Sequence, residues 1–212
     1  MEANHIFIMG DSYSTYAGFI PQGYNTYYSD DRIEDAVVHG VERTWWHIVA
    51  KEIKGTVVTN DSYSGSTVCN TCREGYPLSS SFVSRMDKYI AEGYFEKNPI
   101  DTFFLFGGTN DAWIGTTLGR LQYDNWSEDD LKCVIPAYCY VLDRIQSVAD
   151  KMRIVAIVNC DINPQVVEMI SAACDHYGVQ CIRLSNVEKA CGHPTDLGMA
   201  QIAEQVVDGI KA

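Results

Sequence analysis

The chain lacks any apolar run approaching the roughly 20 residues that cross a bilayer as a helix. Its opening residues, MEANHIF, carry neither the basic segment nor the long apolar segment of a secretory leader. A soluble, cytoplasmic protein with no membrane span is the expectation. Positive charge is scarce: Lys and Arg number 16 against 28 Asp and Glu, a formal net charge of -12. A sequence-independent grip on nucleic acid needs clustered cations to displace counterions, so nucleic-acid partners are excluded, and the field of the chain repels anionic polymers. Prolines are few, 6 in 212 residues, and no Pro/Gly/Ser-rich stretch offers a linker. With 46% hydrophobic residues, the chain reads as one domain, 1–212, able to bury a sizeable core. There is no internal repeat and no low-complexity segment. Cysteines number 8, short of the density of a small disulfide scaffold, and Cys160 and Cys181 lie in apolar runs as small hydrophobes do, so reduced thiols are expected.

Short apolar runs recur at His5–Met9, Thr56–Thr59, Asp101–Phe106, Arg153–Asn159 and Val179–Leu184, each followed by loop signals and then a helical period. That alternation predicts parallel strands joined by helical crossovers. Trp46, Val49, Ala50 and Ile53 share one helix face, as do Met199, Ile202, Ala203, Val206 and Ile210. Pro164 suits the first position of a helix running to Tyr177. Pro136, inside an apolar period from Leu131 to Val148, must either kink that helix or mark its true start. Parallel strands that are apolar throughout need helices on both faces. The predicted fold class is therefore α/β, a three-layer α/β/α sandwich around a five-stranded, mainly parallel sheet. Ligands in such sheets bind beyond the carboxyl ends of the strands, near the switch in strand order.

Polar loops follow three of these strands. In GDSYS, Gly10 permits a tight exit from the first strand and Ser12 presents a hydroxyl. A serine hydroxyl is a poor nucleophile without a base and without donors for the oxyanion formed on attack. NDSYSGSTV supplies Gly65, whose backbone N–H a substrate can approach closely. LFGGTNDAW supplies Asn110, whose amide is a further donor. CGHPTDLGM places His193, a candidate base, ahead of the last helix. Taken singly, a serine after a strand is an ordinary N-cap, an asparagine an ordinary turn residue and a histidine an ordinary packing residue.

Together, in this order, the four blocks resemble the SGNH hydrolases, also called the GDSL esterase/lipase family, over Gly10 to Gly198. The resemblance implies a flavodoxin-like sandwich and a serine esterase needing no metal or other cofactor. It makes Ser12 the nucleophile, His193 the base, and Ser12, Gly65 and Asn110 the oxyanion hole. Two positions depart from the family pattern. Ser62 stands where many members have glycine. Ala190 occupies the place, three residues before the histidine, of the acid that orients the imidazole. Asp196, Glu188 or a backbone carbonyl are the candidate replacements; a carbonyl fixes the tautomer but cannot stabilise the imidazolium as a carboxylate does.

CNTC places Cys69 and Cys72 at C-x-x-C spacing, read as two thiols in a surface loop, with a redox pair or half a zinc site as the alternatives. Tyr13, Tyr16, Tyr24, Tyr27, Tyr28, Trp113 and Trp126 fall in loops expected to ring the site, where aromatic faces suit sugar rings, acyl chains or simple packing. The long segment from Tyr13 to Arg43, with little periodicity, is expected to shape the pocket or an oligomer contact. The expected substrate is a small-molecule ester, first an acetylated carbohydrate. The alternatives are a thioesterase or lysophospholipase role, and a non-catalytic binding domain that keeps the fold.

Overall fold

The computed structural model describes residues 4–31, 38–148 and 151–211. Five parallel strands form one sheet: β1 (Asn4–Gly10), β2 (Gly55–Ser62), β3 (Thr102–Phe106), β4 (Arg153–Val158) and β5 (Gln180–Arg183). Their order is β2-β1-β3-β4-β5, the doubly wound order whose reversal lies between β1 and β3. All pairs in this sheet are parallel. A second ladder, antiparallel and two residues a side, joins β6 (Lys189–Ala190) to β7 (His193–Pro194).

Among the described residues, seven helices accompany the strands: α1 (Trp45–Glu52), α2 (Phe82–Ala91), α3 (Tyr94–Lys97), α4 (Thr109–Trp113), α5 (Val134–Val148), α6 (Pro164–Tyr177) and α7 (Asp196–Lys211). Successive strand residues point to opposite faces, and this divides the core in two. Phe7, Met9, Phe103, Leu105, Ala156 and Val158 meet α2, α5 and α6. Ile6, Ile8, Phe104, Phe106, Val155 and Ile157 meet α1 and α7. The result is a three-layer α/β/α sandwich. Pro136 lies in the first turn of α5, where a missing N–H costs nothing, so it marks a start and no kink. Asn163 caps α6 by accepting from the Gln165 N–H, and Pro164 is its first residue.

Strand β2 runs three residues beyond the expected Thr59 and ends in Asn60, Asp61 and Ser62, all buried. Buried polar residues need partners. Arg85 of α2, itself buried, donates to both the carboxylate and the carbonyl of Asp61, the former at 2.7 Å. Arg85 also donates to the carbonyls of Gly10 at 3.2 Å and Ser80 at 3.0 Å, and to Ser66 Oγ at 3.2 Å. One side chain thereby ties together the ends of β1 and β2 and the loop after β2.

Candidate active site

The exit from β1 is tight because nothing larger than glycine fits there: a Cβ on Gly10 would lie 2.6 Å from Ser62 Oγ and 2.7 Å from Ser14. Ser62, one of the two departures, is thus the wall against which Gly10 turns. Ser12–Ser14 then form a single 3-10 turn capped by Asp11, whose Oδ1 accepts from the Tyr13 N–H at 3.0 Å. Trp45 Nε1 donates to Ser14 Oγ and Asn60 Nδ2 to the Ser14 carbonyl, pinning the turn from two sides. Asp11 is fully buried; desolvation, assisted by the charge of Asp111 and opposed by the Tyr13 N–H, pushes its pKa up to about 7.

His193 comes to Ser12 from the far end of the chain. Cys191 and Gly192, with φ of 48° and 79°, make the two-residue turn between β6 and β7, and such turns need positive φ. The hairpin carries the His193 Nε2 to 3.0 Å from Ser12 Oγ, while Nδ1 lies 3.2 Å from the Cys191 carbonyl oxygen. A carbonyl only accepts, so Nδ1 carries the proton and Nε2 faces the serine as an acceptor. Neither candidate acid sits on Nδ1. The Asp196 carboxylate pairs with Arg43 and accepts from the His39 N–H, and Glu188 accepts from Thr195 Oγ1 at 2.6 Å. Ala190 is directly opposite His193 in the ladder, so the two side chains share one face of the hairpin.

Rings and one lysine hold the hairpin. Tyr27 stacks on the imidazole with centroids 3.5 Å apart and planes 10° from parallel, and Tyr13 and Trp113 approach it at 5.6 Å. Tyr13 Oη donates to the Gly192 carbonyl at 2.6 Å, and Tyr28 Oη to the Pro194 carbonyl at 2.8 Å. Burial holds the Tyr13 phenol well above its usual pKa, so it remains a donor at any ordinary pH. Lys189 Nζ, donating to Asn159 Oδ1 and to Asp161 at 2.7 Å each, fastens β6 to the end of β4. The long segment after β1 thus supplies Tyr27 and Tyr28 to the site; residues 32–37 within it lie outside the described residues. Trp126 packs instead against Tyr140 of α5, and Tyr24 against Tyr63.

The donors come from two further loops. Gly65 has a φ of 84°, and a Cβ there would lie 2.6 Å or less from the Tyr76 ring, so the position admits only glycine. Among the described residues, no acceptor takes the backbone N–H of Ser12 or Gly65. Asn110, buried at the start of α4, donates from Nδ2 to the Ser66 carbonyl at 2.9 Å. An amide nitrogen has two N–H groups, so one remains. Asp111 beside it faces away and accepts from the N–H groups of Val68 and Cys69 at 2.8 and 3.1 Å.

That contact corrects one expectation. Cys69 is core rather than surface loop, and burial raises its thiol pKa, whereas Cys72 is half-buried with Sγ 3.8 Å from the Pro77 carbonyl. Among the described residues, no group of three or more His, Cys, Asp or Glu side chains is placed to hold a metal ion. Nor is any described helix long and apolar enough to cross a membrane. Arg85 and the Cys191 carbonyl had no signal in sequence, the first because its partners are distant in the chain, the second because every residue has a carbonyl.

A family model described as GDSL-like lipase/acylhydrolase matches residues 4–210. Among solved structures, a proposed GDSL-like lipase from Bacteroides ovatus is 35% identical with a TM-score of 0.91, covering 100% of this chain and 99% of its own. One from Bacteroides uniformis is also 35% identical with a TM-score of 0.90, covering 99% and 96%. An acetyl xylan esterase from the rumen bacterium Butyrivibrio proteoclasticus shares the fold at 14% identity and a TM-score of 0.65, over 100% of this chain and 64% of its own. No curated protein matches the chain.

Proposed function

The chain belongs to the GDSL-like lipase/acylhydrolase family of ester hydrolases, and on that premise we propose that it is a serine esterase working through an acyl-enzyme at Ser12. The observation that carries the proposal is the Ser12 Oγ to His193 Nε2 approach of 3.0 Å, with the other ring nitrogen committed to a carbonyl. His193 takes the Ser12 proton as Oγ attacks the ester carbonyl. The tetrahedral oxyanion is met by the Ser12 and Gly65 N–H groups and the second Asn110 N–H. Collapse expels the alcohol, which takes the proton back from His193. Water then enters, gives a proton to His193 and attacks the acyl-enzyme, and a second collapse returns Ser12 and releases the acid.

The reading includes a Ser-His dyad in which the Cys191 carbonyl fixes the tautomer. A carbonyl does not compensate the imidazolium charge, and the ring faces around it contribute to that task. The Tyr27 π-face, stacked on the imidazole, offers negative electrostatic potential to a cation.

For substrate, a small acyl ester on a carbohydrate is proposed. Trp113, 41% exposed beside His193, offers a flat face of the kind that packs on sugar rings. The fold neighbours include the acetyl xylan esterase and a family two carbohydrate esterase from Clostridium thermocellum in complex with cellohexaose. The test is a p-nitrophenyl ester series from acetate upward alongside acetylated mono- and oligosaccharides. Fastest turnover of acetyl esters on sugars supports the assignment; a preference for long acyl chains or thioesters would replace it with a lysophospholipase or thioesterase.

A further inference from the structure

The loop from Cys69 to Tyr76, which carries the C-x-x-C spacing, has no part in the chemistry above, yet it is docked on the site with unusual thoroughness. At its root, the Asp111 carboxylate holds the Val68 and Cys69 N–H groups. The Asn70 N–H donates to the Leu131 carbonyl at 2.8 Å, and Asn70 Oδ1 accepts from Ser81 Oγ at 2.7 Å. Thr71 Oγ1 donates to the Lys132 carbonyl at 2.6 Å. A turn closed by the Tyr76 N–H on the Arg73 carbonyl then puts Arg73 at its head. The residue so delivered places Nη1 3.3 Å from Asn110 Oδ1.

In a chain of net charge -12, Arg73 pairs with no carboxylate among the described residues; its one hydrogen bond there goes to the Asn110 amide. Guanidinium donates only, and the Ser66 carbonyl accepts only. With Arg73 on one side and Ser66 on the other, the Asn110 amide has a single orientation that satisfies both, with Oδ1 to the arginine and Nδ2 to the carbonyl. The flipped amide would set like against like at both ends. A cation on Oδ1 also draws electron density through the amide and makes the remaining N–H a stronger donor.

We propose that Arg73 is a positioning residue for the oxyanion hole: it fixes the Asn110 amide and polarises it toward the developing oxyanion. This rests on the reading of Asn110 as an oxyanion donor, and the two are separable. The experiment is a double-mutant cycle on acetyl-ester hydrolysis with wild type, Arg73→Ala, Asn110→Ala and the double variant. Arg73→Gln, which keeps a donor without the charge, and thermal unfolding of every variant complete the set.

Arg73→Ala is expected to lower kcat about tenfold with KM changed less than about twofold, since the interaction acts on the transition state. In the Asn110→Ala background it should have no further effect. Arg73→Gln should recover part of the loss, and the melting temperature should stay near that of the wild type. Full additivity with Asn110→Ala would overturn the proposal, because Arg73 would then act on the substrate directly. So would a wild-type kcat in Arg73→Ala, or a kcat loss matched by a loss of folded protein. If Asn110→Ala alone keeps wild-type kcat, the oxyanion reading of Asn110 fails as well, and that failure is visible separately from the behaviour of Arg73.

Discussion

The two sides of the candidate site are built from different materials. Beneath Ser12, Gly65 and Asn110 lies a buried polar frame in which Arg85, Asp61, Asp11 and Asp111 are each 1% exposed or less. Around His193 there is a two-residue hairpin held by Tyr13, Tyr27, Tyr28 and Lys189, with Cys191 and Gly192 open to solvent. The difference fits what the proposed mechanism asks of each side. Donors for an oxyanion have to be aimed before the charge appears, and a buried, low-dielectric frame of polar groups holds the loops that would carry them. On the proposed mechanism the histidine gains and loses a proton in every cycle. Its contacts include ring faces and a carbonyl, groups that tolerate both charge states.

The sharpest way to break this comparison is on the histidine side. His193→Ala should abolish turnover, whereas Asp196→Asn and Glu188→Gln should each cost less than about tenfold in kcat/KM, because a backbone acceptor leaves nothing in those side chains to remove. An amide variant as inactive as His193→Ala would make that carboxylate a third catalytic member. Ala190→Asp sharpens the point, since it sets a carboxylate on the hairpin face that His193 shares; a rise in kcat would show that the family's usual acid position is still open.

On the other side, Asn110→Ala should lower kcat on the order of 100-fold with a smaller change in KM. Asp111→Ala should read out differently. It strands the buried N–H groups of Val68 and Cys69, at about 1 to 3 kcal/mol for each unsatisfied group, so unfolding should be easier while kcat of the folded enzyme falls less than in Asn110→Ala. Equal kcat losses for the two would mean that the frame and the donor cannot be told apart.

The mildest effect concerns Asp11 and the pH dependence of stability. Its folded pKa, about 7, lies above the ordinary carboxylate value of 3.8, so between those values the native state holds a proton that the unfolded chain has released. Its contribution to stability is therefore full below about pH 4 and is lost as pH rises toward 7. Asp11→Asn, neutral throughout, should gain in melting temperature relative to wild type across that interval and keep a constant difference above it. A constant difference from pH 4 to 8 would mean that Asp11 is ionised throughout.

How much of this the sequence discloses depends on whether the signal is local. Apolar runs located all five sheet strands, and Pro136 and Pro164 bore on helix starts through their own geometry. Ser12, Gly65, Asn110 and His193 stand out as candidates because their four motif blocks, in order, resemble one family's pattern, and the fold brings Ser12 and His193 together. The polar end of β2 was not, because Asn60, Asp61 and Ser62 look like a loop until Arg85, 24 residues past Asp61, neutralises the strand end. Helix α2, which carries Arg85, was not placed for the same reason: a buried arginine on its core face reads as polar. Nor was the hairpin, whose strands are two residues long and whose turn places Cys191 at positive φ.

The central claim is that Ser12 attacks and His193 is its base. Brief incubation with a fluorophosphonate or with p-nitrophenyl acetate at low pH, followed by peptide mass spectrometry, tests it most directly. A single adduct on the peptide containing Ser12 is predicted, strongly reduced in His193→Ala and absent in a normally folded Ser12→Ala. An adduct on another residue, or undiminished turnover in Ser12→Ala, would contradict the account.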